Sequence, residues 1–334
     1  MSLRERSILS LQDLTLDETE QLLTRAAGFR EDGIAPTLAG RRVCGLFFNP
    51  SLRTRTSLEI AARSLGAQSL CYDVGGMWPL ELEDGAVMDG DKIEHVRDAI
   101  GKFLSGVVDL IGVRSFPDLG RPYAEAGADA LVQAVEEAAE VPVLNLESTL
   151  FHPMQGLADL FTLRNHLEGD PSDHTIALTW AYHPKPLPMA VTNTALLAFC
   201  RAGYRVRLVH PSGFDLDPDV MACAQELGGD RLSRHTDMDE GLRGARVIYA
   251  KSWASHASYG NLEEDARQRA LHKDWIVNEE RQAAADPGAF MHCLPVRRNV
   301  VVSDSVLDGP HSWVAEQARS RVLVQAAVLH EVLA

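Results

Sequence analysis

The stretch from 41 to 66, RRVCGLFFNPSLRTRTSLEIAARSLG, determines the fold prediction. Its first part is a short apolar run with the length of one buried strand, and its last part is rich in helix formers. Asn49-Pro50 separates the two, and Ser51 stands where the N-cap of a helix is expected. A buried strand that leads directly into a helix is typical of an α/β protein whose parallel sheet is covered on both faces.

The same alternation of strands and helices occurs twice along the chain. It restarts near 174, which predicts two doubly wound α/β domains with parallel sheets, joined by bridging helices. We expect one domain at 1–152, with the C-terminal helix 313–334 packing back on it, and a second domain at 153–312. Ligands of open parallel sheets bind beyond the carboxyl ends of the strands, so we expect an active site in a cleft between the domains. Strand-like runs are found at 41–48, 107–115, 141–147, 174–182, 204–211, 245–253, 274–278 and 289–295.

The composition excludes several classes of protein. The 334 residues include 47 acidic and 32 basic side chains, a net charge of −15, so no nucleic-acid partner is expected. No apolar run has the length of a membrane span, and the first ten residues lack the apolar core of a signal peptide. Five cysteines without C-x-x-C spacing fit a reducing compartment. We therefore expect a cytoplasmic protein that does not bind membranes.

Reactive or charged side chains follow six of the predicted strands. The helix after the first strand begins with Ser51, Arg53 and Thr54, and its leading N–H groups and partial positive charge suit a phosphate. Two arginines in this first turn oppose the helix dipole, and a bound anion would offset that cost. The alternative is a capped surface helix with solvated arginines. At other strand ends stand Arg114, Glu147, His152, His183, Lys251 and Cys293.

Three of the candidate residues also have plainer interpretations. His152 and Gln155 can donate to a carbonyl oxygen and accept from an amide, or His152 can simply pair with backbone at a helix start. Cys293 can be a nucleophile, but no base is evident in the sequence, and packing is the usual role of such a cysteine. Trp78 in a glycine- and proline-flanked loop indicates a ligand or partner, or else loop packing. The chain has no Walker, dinucleotide, serine-hydrolase or zincin motif, so neither a cofactor nor a metal is expected.

S-x-R-T-R at 51–55, H-P-x-Q at 152–155 and H-C-L-P at 292–295 occur in this order along the chain. Together they resemble the motifs of the aspartate/ornithine carbamoyltransferase family, and the similarity extends from Leu14 to the final helix. The resemblance implies carbamoyl phosphate as donor, no metal, no cofactor, and a homotrimer with active sites shared between subunits.

The resemblance also implies roles for individual residues. Trp78 would reach in from a neighbouring chain. Arg114, Thr54 and His152 would stabilise the carbonyl oxygen, and Gln155 with the backbone carbonyl of Leu294 would hold the carbamoyl NH₂ group. The residues expected to bind carbamoyl phosphate are Ser51, Leu52, Arg53, Thr54, Trp78, Arg114, His152, Pro153, Met154, Gln155, Cys293, Leu294 and Arg321. Those expected to bind the acceptor are Glu147, His183, Lys251, Leu294 and Arg297.

Several stretches look like the N-acyl-ornithine branch of the family, among them YAKSW at 249–253 and HCLPVRRN at 292–299. The S-M-G loop of ordinary ornithine carbamoyltransferases is missing. Acetyl-specific members of the branch have glutamate where this chain has Ile93, and succinyl-users have an uncharged residue there, notably proline. Ile93 removes a charge that would repel a succinyl carboxylate, so N-succinyl-L-ornithine is the expected acceptor. N-acetyl-L-ornithine, ordinary ornithine and a non-catalytic carbamoyl-phosphate-binding paralogue remain as alternatives.

Overall fold

The computed structural model of the chain describes residues 2–74, 79–126, 129–285 and 288–334. Contacts between Cα atoms divide the chain into two compact units. Unit 1 comprises 1–116, 128–157 and 321–334, and unit 2 comprises 117–127 and 158–320.

A parallel sheet forms the centre of unit 1. Within the described residues it has four strands in the order β2-β1-β5-β6. Three of them, β1, β5 and β6, are almost entirely buried, as expected for strands covered on both faces. The strands of unit 1 are β1 (Arg42–Phe47), β2 (Gln68–Asp73), β3 (Leu80–Glu81), β4 (Glu94–His95), β5 (Leu110–Arg114) and β6 (Val143–Glu147), where β3 and β4 pair only with each other. The α-helices described up to residue 138 are α1 (Leu16–Asp32), α2 (Leu52–Ser64), α3 (Tyr123–Ala126) and α4 (Ala130–Ala138), of which α3 belongs to unit 2. A π-helix lies at Arg97–Phe103.

Unit 2 is built around a second parallel sheet. In the part of the chain that the structure describes, this sheet has five strands in the order β11-β10-β7-β8-β9. They are β7 (Thr175–Trp180), β8 (Arg205–Val209), β9 (Leu232–His235), β10 (Val247–Lys251) and β11 (Ala289–Met291). The α-helices that follow α4 in the described part of the chain are α5 (Pro153–His166), α6 (Ala190–Arg201), α7 (Pro218–Gly228), α8 (Met238–Leu242), α9 (Leu262–Arg269), α10 (Glu279–Ala284), α11 (Asp304–Leu307) and α12 (Val314–Leu333).

The predicted fold class is confirmed, with two α/β units that each contain a parallel sheet. One predicted strand is wrong: 274–278 forms only an isolated bridge, between Val277 and Val302. Two edge strands, β2 and β9, were not predicted, because their partly exposed residues do not form an apolar run. No helix among the described residues is both long and apolar enough to span a membrane.

Two of the four unit boundaries lie inside continuous helices. Unit 1 ends within α5, after Leu157, and resumes within α12, at Arg321. The sequence analysis places these boundaries at 152/153 and 312/313, at the beginnings of the same helices. A continuous helix carries no local signal of a boundary, so the sequence does not show where inside the helix one unit ends. The domain limits stay a prediction.

Candidate active site

The first helix after β1 begins as its sequence predicts. Ser51 has extended backbone angles, and its side chain accepts a hydrogen bond from Thr54 N at 3.3 Å. Its hydroxyl proton is still free to bind an anion, because a hydroxyl can donate and accept together. Asn49 was not selected from the sequence, yet its Oδ1 accepts from Phe116 N at 2.6 Å and holds the turn before the helix against the end of β5. The sequence feature that could have identified Asn49 is its position between an apolar strand and Pro50.

Arg321 joins two of the predicted site residues in unit 1. It comes from α12 and is 3% exposed. Its Nη2 donates to Thr54 Oγ1 at 2.8 Å, and its Nη1 donates to Gln155 Oε1 at 3.2 Å. Arg321 therefore aligns the beginnings of α2 and α5, and it adds positive charge beside both. Leu52, Pro153 and Met154 lie in the first turns of these two helices.

Arg114 ends β5 and is 6% exposed. Its guanidinium bonds the carboxylate of Glu147 at the end of β6 and lies 4.4 Å from the centre of the Phe116 ring. Within the described residues its buried Nε–H has no hydrogen-bond partner. A buried donor without a partner is costly, so this atom suits a ligand oxygen. The pairing also brings Glu147, which is expected from the sequence to bind the acceptor, into contact with Arg114, which is expected to bind the donor.

His152 lies in the same cluster and is neutral at pH 7. Burial is the largest cause that holds its pKa well below the ordinary value. The positive charges of Arg321, Arg114 and Arg53 lower this pKa further. Glu147 carboxylate oxygen lies 3.5 Å from His152 Nε2 and does not reverse the shift. The guanidinium groups of Arg53, Arg114 and Arg321 thus act on one buried imidazole, with the single carboxylate of Glu147 beside it, and make a local cationic pocket in a chain of net charge −15.

Unit 2 holds the second group of predicted residues, again at strand ends. Arg297 Nε donates to His183 Nε2 at 2.9 Å, and His183 Nδ1 lies 2.8 Å from the carbonyl oxygen of Lys185. Because Arg297 can only donate, the imidazole is neutral with its proton on Nδ1, which faces both the carbonyl oxygen and the N–H group of Lys185. Lys251, the last residue of β10, is 8% exposed and donates from Nζ to Ser252 O at 3.0 Å.

The H-C-L-P motif follows β11. Leu294 N donates to His292 Nδ1 at 2.9 Å, and the Leu294–Pro295 peptide is cis. Leu294 also has a positive φ of 55°, a backbone conformation that is uncommon for residues other than glycine. Because His292 Nδ1 already accepts from Leu294, this nitrogen is occupied and does not activate Cys293. The binding role of the backbone groups of this motif, which the sequence favours, stays a prediction.

Among the described residues, no group of three or more histidine, cysteine, aspartate or glutamate side chains could hold a metal ion. Trp78, expected to serve a neighbouring chain, lies outside the described residues.

We expect His183 to make the free energy of unfolding depend on pH. Burial, followed by the charges of Arg297, Lys251 and Arg269, lowers its pKa to about 4, although the carbonyl of Lys185 opposes the shift. The unfolded chain, with a histidine pKa of about 6.5, binds the proton first as the pH falls. This contribution to the free energy of unfolding is therefore complete above pH 6.5 and is lost between about 6.5 and 4.

Urea unfolding at pH 7.5, 6 and 5 measures this effect. We expect the midpoint of His183→Gln to fall less with acidification than that of the wild type. His311→Gln, a change at an exposed histidine of the same unit, is the control and should follow the wild type. Equal acid sensitivity of His183→Gln and the wild type would contradict the assignment.

Comparison with known proteins agrees with this geometry. The carbamoyl-phosphate-binding domain model of the aspartate/ornithine carbamoyltransferases matches residues 6–165, and the aspartate/ornithine-binding domain model matches residues 188–332. The chain belongs to the aspartate/ornithine carbamoyltransferase family. It is accordingly an enzyme that transfers carbamoyl groups.

Relatives place the chain in the N-acyl-ornithine branch of that family. It is 39% identical to the N-acetylornithine carbamoyltransferase of Xanthomonas campestris pv. campestris, over 98% of this chain and 97% of the relative. It is 35% identical to the N-succinylornithine carbamoyltransferase of Bacteroides fragilis, over 86% of each chain.

Solved structures of the acetylornithine enzyme are similar over the whole fold. An acetylornithine transcarbamylase in complex with acetylcitrulline has a TM-score of 0.95 and 37% identity, covering 98% of this chain and 99% of that chain. A variant of N-acetyl-L-ornithine transcarbamylase with one glutamate replaced by valine, in complex with carbamyl phosphate and N-succinyl-L-norvaline, has a TM-score of 0.93, 37% identity, and coverage of 98% and 100%.

Proposed function

We propose that this enzyme transfers the carbamoyl group of carbamoyl phosphate to the δ-amine of N-succinyl-L-ornithine, a step of arginine biosynthesis. The products are N-succinyl-L-citrulline and phosphate. The observation that carries the donor assignment is the cationic pocket of Arg53, Arg114 and Arg321 beside the N-terminus of α2. Helix N-termini and guanidinium groups are the usual partners of phosphate oxygens.

The proposed reaction needs no covalent enzyme intermediate. The uncharged δ-amine attacks the carbonyl carbon, a C–N bond forms, and the C–O bond to phosphate breaks with its electron pair leaving on phosphate. The proton lost by the amine passes to the departing phosphate. Arg114, Thr54 and His152 stabilise the negative charge that develops on the carbonyl oxygen, and donors that are already in place do so without reorganisation. Gln155 and the carbonyl of Leu294 orient the carbamoyl NH₂ group.

The phosphate end of the donor is assigned to Ser51, Arg53 and the first-turn amides of α2. Arg114 bridges the two ends of the donor, since its guanidinium carries five donors and only part of them bond Glu147. Much of the acceleration is expected from holding amine and carbonyl in reacting geometry.

Acceptor recognition is assigned to unit 2. Lys251 and Arg297 supply two cations, which suit carboxylates of an acylated amino acid, and the neutral ring of His183 accepts a hydrogen bond from Arg297 beside them. We take the glutamate replaced in the succinyl-norvaline complex to correspond to Ile93, which like valine is β-branched and uncharged. This correspondence supports succinyl over acetyl, whereas an overall identity of 39% to the acetyl enzyme against 35% to the succinyl enzyme favours acetyl. The single pocket position weighs more for the acyl group, because identity over a whole chain is dominated by the fold.

A homotrimer with shared active sites is part of the proposal. Several apolar side chains of unit 1 are exposed in the isolated chain, and a neighbouring copy would cover them. They include Val87 at 83%, Ile93 at 65%, Phe103 at 64% and Tyr72 at 48%.

A competition assay tests the proposed function. The enzyme is incubated with carbamoyl phosphate and equal concentrations of N-succinyl-L-ornithine, N-acetyl-L-ornithine and L-ornithine, and each ureido product is quantified by mass. We expect N-succinyl-L-citrulline to predominate. Predominant N-acetyl-L-citrulline would contradict the acyl assignment, and citrulline alone would contradict the branch. Bound carbamoyl phosphate without any product would indicate a non-catalytic paralogue.

A further inference from the structure

Arg269 is a buried arginine of unit 2 that the proposed reaction does not use. It ends α9 and is 1% exposed. Asp265, one turn earlier and 2% exposed, accepts two hydrogen bonds from it, from Nε at 2.9 Å and from Nη2 at 3.1 Å. Burying an ion pair is costly unless its remaining groups are also bonded. The partners of those groups therefore show what the pair holds in place.

The remaining groups of the pair bond the segment 252–255, which follows β10. Arg269 Nη1 donates to Ser252 Oγ at 3.1 Å, and its Nη2 donates to Trp253 O at 3.1 Å. Asp265 Oδ1 accepts from Ser255 N at 3.2 Å. Three of these four consecutive residues are thus fixed by one ion pair.

Two aromatic rings hold the guanidinium itself in place. Its central carbon lies 5.5 Å from the ring centre of Trp180 and 5.5 Å from that of Phe214. Trp180 Nε1 donates to Trp253 O, the same carbonyl that Arg269 bonds. Lysine in this place would keep the positive charge, but it has no planar group with five donors to lie on the two aromatic faces.

The segment in turn holds Lys251. The ammonium of Lys251 donates to Ser252 O at 3.0 Å, so a displacement of Ser252 displaces the ammonium. An ammonium has three donors, and this bond leaves capacity for a substrate carboxylate. The position of the ammonium thus depends on the ion pair through Ser252.

We propose that Arg269, held by Asp265, is a positioning residue that sets the Lys251 ammonium for the carboxylate of the acceptor. The identity of that acceptor rests on the proposed function. The ion pair fixes 252–255, the segment fixes the lysine, and neither Arg269 nor Asp265 touches the substrate.

Kinetics of Arg269→Lys test the proposal. We expect the KM for the acyl-ornithine to rise about tenfold, the size of one misplaced charged hydrogen bond, with kcat and the KM for carbamoyl phosphate within about threefold of wild type. In a Lys251→Met background the same change should add little to KM, since its effect passes through the lysine. Additive effects, or a loss confined to kcat, would overturn the proposal.

Arg281→Lys is the matched control. Arg281 also bonds one carboxylate, that of Asp239 at 2.6 Å, and two backbone carbonyls, those of Asp274 at 2.6 Å and Ile276 at 2.7 Å. It is a less buried structural arginine of unit 2, with 16% of its side chain exposed, so its replacement should lower the melting temperature without changing either KM. Ser252→Ala removes a single contact of Arg269 and provides a milder variant should Arg269→Lys fail to fold; it should raise the same KM.

Chemical labelling tests the positioning without any substrate. The Arg269→Met variant and the wild type, both without substrate, are treated with acetic anhydride. The acetylation of Lys251 is then quantified by mass relative to that of the exposed Lys273. We expect the relative labelling of Lys251 to change at least about threefold, since its ammonium loses its fixed place. An unchanged rate would overturn the positioning role. If the wild type fails to carbamoylate acyl-ornithine, the proposed function fails, and the labelling result still decides the role of Arg269.

Discussion

Replacing Arg53 by alanine is expected to lower kcat/KM for carbamoyl transfer by about 10³-fold, comparable to the loss of one transition-state donor. Arg53 lies in the first turn of α2, and its charge acts on the buried His152. Its guanidinium is assigned to the phosphate, whose charge increases as the C–O bond breaks, so the bond is worth most in the transition state. Initial rates at varied carbamoyl phosphate concentration measure the change.

Arg63→Ala is the control for this experiment. Arg63 is on the same helix and is 68% exposed, and among the described residues its side chain makes one ion pair, 3.8 Å from Glu59. The substitution removes the same charge from α2 but leaves the first turn intact, so kcat/KM should stay within about twofold of wild type. Activity of Arg53→Ala within about threefold of wild type would contradict the phosphate assignment.

Replacing Ile93 by glutamate is expected to shift the preference for N-succinyl- over N-acetyl-L-ornithine by about 10- to 100-fold towards acetyl. Two like charges about 4 Å apart repel by about 1 to 4 kcal/mol, depending on how well solvent screens them. Ile93 is 65% exposed in the isolated chain, so the backbone should tolerate the new side chain. The ratio of the two kcat/KM values, measured in competition, reports the change directly.

Leu271→Glu separates this effect from a general effect of added charge. Leu271 is an apolar side chain with a similar exposure of 68%, but it belongs to unit 2 and has no assigned role. Its replacement by glutamate should leave the preference unchanged. An unchanged preference in Ile93→Glu itself would show that the charge at this position does not select the acyl group.

The sequence predicts those parts of the fold that depend on local chemistry. The buried strands β1, β5 and β7 are continuous apolar runs, and Ser51 caps α2 where its position between Pro50 and the helix formers indicates. Edge strand β2 was missed because exposed and partly buried residues alternate along it without an apolar run. The run at 274–278 has strand composition but only one residue in a bridge, since pairing is decided by partners distant in sequence.

Contacts between distant residues explain what the sequence does not predict about the site. Arg114 and Glu147 are 33 residues apart, and only the adjacent positions of β5 and β6 show that they pair. Arg269 lies in the charged helix LEEDARQR, whose composition is typical of a solvated surface. Its spacing of four from Asp265 was the available signal, but that spacing is common on exposed helices and does not reveal burial.

The central claim is tested most directly by the binding site of a bisubstrate phosphonate. In this compound a phosphonate replaces the phosphate of the donor, and an N-acyl-ornithine moiety supplies the acceptor. A crystal structure of that complex should show phosphonate oxygens bonded to Ser51, to Arg53 and to the leading amides of α2, with the analogue's carbonyl at Arg114 and His152. A structure in which this cationic pocket holds no ligand, and the phosphonate binds elsewhere on the protein, would contradict the account.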